Sequence, residues 1–288
     1  MRSRKFTKHF GLEVEDFDIK SLKTEKDWGD FLDLIYQNQL VVLRDQDLSP
    51  ADIVRVNKKL GKPNAQVPRQ YCLSDYPEIF VISNIVEDGR AIGSTSNGFG
   101  WHSDMIYGPT PTAFTGLYVV EACKQGGATV FANLYAAYEA LSEDERQTLD
   151  KVGIEHSYAY TYTKRKNAPP LPEEAKRLYP DVVHPLVRAH PFTGRKGFFF
   201  GQLSARNVVG IDVDDAEFIE RISKHMVSDE FTYQHTSRDR DLMIWDNRGL
   251  MHTATPYNFE KDRRLVYRIV TLDETMAVAG VETAPVPA

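Results

Sequence analysis

"DLMIWDNRGLMH" (Asp241–His252) sets the reading of the whole chain. Its apolar run, Leu242 to Trp245, is too short for an ordinary helix and is closed by the turn-forming pair Asp246-Asn247. It therefore reads as a strand, a tight turn, and a second short segment that ends on His252. Runs of the same kind recur along the chain. "QLVVLRD" (Gln39–Asp45), "EIFVISN" (Glu78–Asn84), "AFTGLYVVEA" (Ala113–Ala122) and "GATVFAN" (Gly127–Asn133) occupy the first half. "VHPLVRAH", "KGFFFGQ", "EFTYQH" and "LVYRIVTL" join it in the second. Many short strands bounded by Gly, Asn, Asp or Pro predict a mainly β protein with flanking helices, built as an antiparallel sandwich or barrel.

Helices are fewer. Asp27–Asn38 puts Trp28, Phe31, Leu32 and Ile35 on one face, with Asp27 as the expected cap. Ser49–Gly61 opens on Ser-Pro and closes on Gly. "NLYAAYEALSEDERQTLDKV" divides into two helices, the second started by Ser142 with Glu145 in a capping box. "DVDDAEFIERISKHM" is a further helix. The polar, proline-bearing stretch Tyr162–Asp181 reads as a long excursion, of the kind that covers a site.

Composition narrows the function classes. The chain has 288 residues, 42% hydrophobic and 26% charged, with a net charge of −6. No repeat and no Pro/Gly/Ser linker divides it, so residues 1–275 are expected to form one domain, with 276–288 a flexible tail. An acidic balance argues against nucleic acid and anionic membrane as partners. No run is long and apolar enough for a membrane span. The start of the chain is basic but lacks the apolar stretch of a secretory signal. Two cysteines, Cys72 and Cys123, make neither a disulfide framework nor a zinc motif, which fits a reducing, cytoplasmic setting.

The candidate chemistry begins in "GFGWHSDMIYGPTP" (Gly98–Pro111). On an extended segment His102 and Asp104 share a face, with Cα atoms roughly 6.5 Å apart, so both can reach one ion. His252 is the candidate third ligand, because antiparallel strands bring distant segments together. Two histidines and a carboxylate form the facial triad of non-haem Fe(II) oxygenases. Zinc would more often add a Cys or use an H-E-x-x-H helix, which is absent, while copper and manganese stay open on ligand type alone. Shortly after His252 comes "EKDRRLVYRIVTL" (Glu260–Leu272). Arg264 and Arg268 share one strand face and Arg263 lies on the other. Paired arginines beside a metal could clamp a carboxylate through two parallel hydrogen bonds. Trp101, Tyr71 and three other histidines, His184, His190 and His235, read as structural. Trp245 to Arg248 reads as a turn held by its own side chains.

These segments together resemble the TauD/TfdA family of Fe(II)- and 2-oxoglutarate-dependent dioxygenases. "WHSD", "GGATVFANLYAAYEAL", "HPLVRAHPFTGRKGFFF", "WDNRGLMH" and "RRLVYRIVTLDE" carry the resemblance, which runs from "NQLVVLRDQDLSP" to Glu274. The resemblance implies a double-stranded β-helix, or cupin-like jelly roll, with helices outside. It implies Fe(II) on His102, Asp104 and His252, 2-oxoglutarate as cosubstrate, and O2. Thr129 corresponds to the residue that hydrogen-bonds 2-oxoglutarate, Arg264 to the arginine on its distal carboxylate, and Arg268 to an arginine that meets an acidic group of the substrate. Arg263 competes with Arg264, because the Arg-Arg pair sits about one residue further from the second histidine than in taurine dioxygenase. Asn84 and Tyr107 lie where relatives border the substrate pocket. The expected reaction is hydroxylation of a small anionic organic compound, with desaturation or cleavage after hydroxylation as variants. Asp104 argues against halogenation, since related halogenases replace that carboxylate by a small residue. The competing reading is a jelly-roll binding protein without turnover. The family's habit implies a dimer or tetramer.

Overall fold

The computed structural model describes residues 2–65, 69–95, 98–164, 170–171 and 173–278. Residues 279–288 of the expected tail, and parts of the segments 63–74 and 162–181, lie outside the described residues.

A nine-stranded sheet forms the frame. Its centre runs in the order Leu40–Leu43, Leu242–Asp246, Thr112–Glu121, Leu265–Leu272, Tyr76–Ser83, and these neighbours are all antiparallel. The strands are short and rich in Val, Ile, Leu and aromatic residues, which suits a pleated surface buried on both faces. A three-stranded sheet lies opposite, with Thr129–Asn133 between Thr232–His235 and Leu250–Ala254. Phe131 and Leu250 of the small sheet pack with Phe80, Leu117, Trp245 and Val266 of the large one in one fully apolar layer. That sheet-on-sheet core is the expected jelly roll.

Two helices cover the outer face of the large sheet. Glu25–Asn38 and Pro50–Leu60 turn Trp28, Phe31, Ile35, Ile53 and Val56 onto Val41, Phe114, Ile244 and Ile269. The second helix starts and ends where Ser49, Pro50 and Gly61 predict. The first starts two residues earlier than expected, and Asp27 is not its cap. Thr24 caps it, accepting from the Asp27 amide at 3.1 Å, while the Asp27 carboxylate reaches back to the Thr24 amide at 2.8 Å. Asp27 is thus the third residue of a capping box, which satisfies two end donors at once. Ser142 and Glu145 form the box expected of them.

The remaining differences have local causes. Tyr162–Asp181 is not a bare loop, for Tyr158–Thr163 and Glu173–Leu178 are helical. Four strands, Arg2–Lys5, Leu12–Glu15, Gly153–His156 and Ala205–Val209, carry too little apolar periodicity to be read from sequence. Arg2–Lys5 and Ala205–Val209 are edges, Leu12–Glu15 lies between Arg2–Lys5 and Leu40–Leu43, and Gly153–His156 is the centre of a three-stranded sheet; each takes its conformation from the neighbours that pair with it.

Candidate active site

The site is assembled from three strands and one irregular segment. His102 precedes a series of turns, and its backbone is clamped to the His252 strand. His102 N–H donates to the His252 carbonyl at 3.0 Å, and His252 N–H returns a bond to the His102 carbonyl at 2.8 Å. This isolated antiparallel bridge places the two imidazoles side by side, with ring centroids 4.2 Å apart. A Cβ on Gly100 would come within 2.6 Å of Leu203, and the Gly100 φ of +86° suits only glycine, so the chain can turn into the bridge there. The Gly100 carbonyl then accepts from His102 Nδ1 at 2.7 Å. That bond leaves Nε2 as the free lone pair.

Asp104 lies between the histidines. Its carboxylate oxygens are 4.0 Å from His102 Nε2 and 3.7 Å from His252 Nε2. One ligand atom from each of the three residues lies within 4.8 Å of the others, so the structure brings together the triad read from the sequence. Burial alone would push the Asp104 carboxyl up. Arg268, both histidines and the Thr115 hydroxyl outweigh it and hold the group at about 2, so Asp104 is ionised. Burial pushes His252 down to about 3, with the neighbouring His102 acting the same way, so its imidazole is neutral. Two neutral imidazoles and one carboxylate are the donor set and the protonation state that a divalent iron site requires. Nothing in the cluster needs to move far to accept the ion.

Five further residues, Thr129, Arg264, Arg268, Asn84 and Tyr107, are expected at the site. Arg268 is half-sheltered and donates from Nη1 to Asp104 Oδ1 at 3.0 Å. Its guanidinium is therefore at the triad, in contact with a candidate ligand. Arg264 is buried, 8% exposed, and has no Asp or Glu in ion-pair contact among the described residues. Its surroundings are the Tyr257 ring, Cys123 and the backbone of Gly127. Arg263 points away, 63% exposed at its side chain, and pairs with Glu121. Face parity thus separates the two arginines as expected, although Arg264 precedes the strand Leu265–Leu272 by one residue. Thr129 is buried on the strand face that also carries Phe131, whose ring lies 6.1 Å from that of His252.

Asn84 and Tyr107 differ from each other. Asn84 is occupied by the chain itself. Its Nδ2 donates to the carbonyls of Phe259 at 2.9 Å and Asp262 at 2.7 Å, and its Oδ1 accepts from Arg264 N–H at 2.9 Å. An amide so fully engaged pins the loop that delivers Arg264. Tyr107 stacks near Tyr158 and Tyr179, at 4.9 and 5.5 Å, beside Met105 and Val270. Burial raises its phenol well above the ordinary range, so it stays protonated. Trp101 packs on the core, as expected. His184 and His190 bond to the Ile106 carbonyl and to Asp246, away from the triad. Sequence reasoning misses Thr115 and reads Asn247 only as part of a turn held by its own side chains. The only trace in the sequence was a threonine inside the apolar run "AFTGLYVVEA" and an asparagine in the turn after "DLMIW".

A jelly roll with two histidines and a carboxylate, His102 and Asp104 on an irregular segment and His252 on the strand bridged to it, matches the mononuclear non-haem iron class. The family described as taurine catabolism dioxygenase TauD, TfdA family, matches residues 2–270, and the chain belongs to it. It is accordingly a non-haem iron, 2-oxoglutarate-dependent dioxygenase, an oxidoreductase that uses Fe(II), 2-oxoglutarate and O2. Pentalenolactone F synthase of Streptomyces arenae is 31% identical over 210 residues, which are 69% of this chain and 70% of that one. The alpha-ketoglutarate-dependent 2,4-dichlorophenoxyacetate dioxygenase of Cupriavidus pinatubonensis is 28% identical over 93% of this chain and 96% of its own. The fold is shared with a taurine dioxygenase from Burkholderia xenovorans, at a TM-score of 0.79 and 23% identity, over 95% of this chain and 89% of the other.

Proposed function

We propose that the protein hydroxylates a small anionic organic substrate, with release of succinate and CO2. His102, Asp104 and His252 hold Fe(II), Arg264 and Thr129 hold 2-oxoglutarate, and Arg268 meets the acid group of the substrate. What supports this reading is a pair of arginines four residues apart, Arg268 in contact with Asp104 and Arg264 buried beside Tyr257, Cys123 and Gly127. Arg268 reaches the triad itself, and Arg264 is a buried cation with no Asp or Glu in ion-pair contact among the described residues. Tyr257 gives Arg264 a hydroxyl and a ring face but no negative charge, and an anion from outside would offset the several kcal/mol that burying such a cation costs.

Iron with 2-oxoglutarate supplies the activation of O2 and the oxidising power for a C–H bond. The protein supplies placement. The Arg264 fork matches a carboxylate in two parallel bonds, and the Thr129 hydroxyl adds a third. Length selection follows, because the two ends of a dicarboxylate meet fixed groups. Arg268 draws an anionic substrate toward the triad, and Tyr107 with Tyr158 and Tyr179 gives that side an apolar, aromatic wall. His102 Nδ1 is spent on Gly100, so only Nε2 faces the ion. Asp104 stays anionic and carries no proton into the reaction.

The test is a screen of carboxylates, sulfonates and amino-acid derivatives on the iron-loaded protein, reading succinate. An anionic compound should raise succinate release above the substrate-free rate and be recovered with an added oxygen atom. Failure of every anion, with a neutral compound turned over, would remove the anionic substrate. Absence of any succinate with iron bound would favour a binding protein.

A further inference from the structure

Asp104 is held by a chain of buried hydrogen bonds whose direction can be worked out from the donors alone. Trp245 Nε1–H donates to Asn247 Oδ1 at 3.1 Å, and the Asp104 backbone N–H donates to the same oxygen at 3.2 Å. Both are groups that can only donate, so that atom of Asn247 must be the carbonyl oxygen. Its amide nitrogen therefore faces Thr115 and donates to Thr115 Oγ1 at 2.9 Å. The single Thr115 proton is then left for Asp104 Oδ2, at 2.6 Å. Thr115, Trp245 and Asn247 are all at most 1% exposed, so water does not offer an alternative route. The strand register fixes the geometry, for Thr115 stands opposite Trp245 on neighbouring antiparallel strands.

We propose that Thr115 and Asn247 are positioning residues that hold the Asp104 carboxylate in the orientation needed to bind the metal. The inference rests on the triad reading above. Asn247 orients the hydroxyl, the hydroxyl fixes one carboxylate oxygen, and the carboxylate can then neither rotate nor turn away when the ion arrives. The same asparagine anchors the Asp104 backbone, so one side chain sets both the position and the rotation of the ligand. The turn is itself braced, because Asp246 accepts from Arg248 and from His190.

The test is calorimetric titration of the full-length protein with Co(II), read together with the Co(II) ligand-field spectrum and the melting temperature. Thr115→Val keeps the shape and loses the proton, and metal affinity should fall about tenfold to a hundredfold, as partners of metal ligands typically do. Thr115→Ser restores the hydroxyl and should return affinity to within a few-fold of the parent. Asn247→Asp keeps an acceptor for Trp245 and for the Asp104 amide but turns the Thr115 proton away from Asp104, so it should also weaken Co(II). A simple charge effect would instead tighten it. Parental affinity in Thr115→Val, equal loss in Thr115→Ser, or tighter binding in Asn247→Asp would each overturn the proposal. Asp104→Ala separates the two readings. If it binds Co(II) like the parent, the triad itself is wrong; if it loses Co(II) while Thr115→Val does not, only the positioning role falls.

Discussion

The Arg268 guanidinium lies 3.0 Å from the Asp104 carboxylate, and the two side chains are 20% and 3% exposed. One arginine thus touches a candidate iron ligand and faces the side where substrate is proposed to enter. Arg268→Ala should lower kcat/KM for an anionic substrate by about ten- to a hundredfold, the loss of one charged hydrogen bond worth about 1.5–3 kcal/mol. It also removes the largest influence that keeps Asp104 ionised against burial. In the metal-free protein the Asp104 carboxyl therefore titrates higher, and because the metal needs the carboxylate, the acid limit of Fe(II) uptake should move to higher pH. Anaerobic Fe(II) binding against pH checks this, and an unmoved acid limit would detach Arg268 from Asp104.

Arg264 and Arg263 are neighbours with opposite surroundings, one buried with no acid in ion-pair contact among the described residues and one exposed on Glu121. Arg264→Lys keeps the charge and loses the fork, so the KM for 2-oxoglutarate should rise at least tenfold. Arg263→Lys should change it less than twofold, since exposed ion pairs contribute little. Steady-state kinetics with varied 2-oxoglutarate decides between them. The reverse result would mean that the strand face has been misassigned.

His252→Ala should abolish stoichiometric Fe(II) binding and turnover together. His252 is in contact with Trp245 and Phe131, so some stability is lost as well. Circular dichroism should still report a folded protein. Anaerobic equilibrium binding of Fe(II) is the measurement, and a variant that keeps one tight iron would take His252 out of the triad.

Acid should weaken the fold through His156 and His184. Burial depresses them to about 3 and about 4, with His184 and Arg188 respectively adding to the effect. Both lie below the unfolded value, so the unfolded chain binds more protons once pH drops under about 6.5. Their contribution is complete above that pH and is lost as pH falls toward 4. Denaturant melts of the metal-free protein between about pH 6.5 and 5 should show falling stability. His156→Gln should reduce the slope by up to about 1.4 kcal/mol per pH unit. An unchanged slope would mean that His156 is protonated, or exposed, in the native state.

The strands of the core could be read from the sequence because each is a compact apolar run between turn residues. "DLMIW", "LVYRIVTL" and "AFTGLYVVEA" fall where the large sheet has its central strands. The edge strands Arg2–Lys5 and Ala205–Val209 escaped, since exposed or mixed residues adopt the strand form only when a neighbour offers its hydrogen bonds. Helix caps lie between these cases. Ser49-Pro50 is unambiguous, whereas Thr24 and Asp27 can each serve as a cap, and in the fold Thr24, with extended backbone, is the cap and Asp27 its return partner.

By itself the sequence determined the identity of the reactive groups. Arg264 and Arg268 share a face through a four-residue spacing, because alternation along a strand is a local property, whereas the expected extended segment at His102 and Asp104 is instead a bridge residue followed by turns. Tertiary structure alone decided which groups meet. The His102–His252 bridge, the Asp104–Arg268 ion pair and the Thr115–Asn247 hydrogen bond join residues far apart in the chain. Such contacts depend on strand register, which is settled by packing two apolar sheet faces against each other and carries no mark in any single segment. The same packing buried Thr115 and Asn247 where water cannot compete. That burial gave an ordinary threonine and a turn asparagine fixed hydrogen-bond directions.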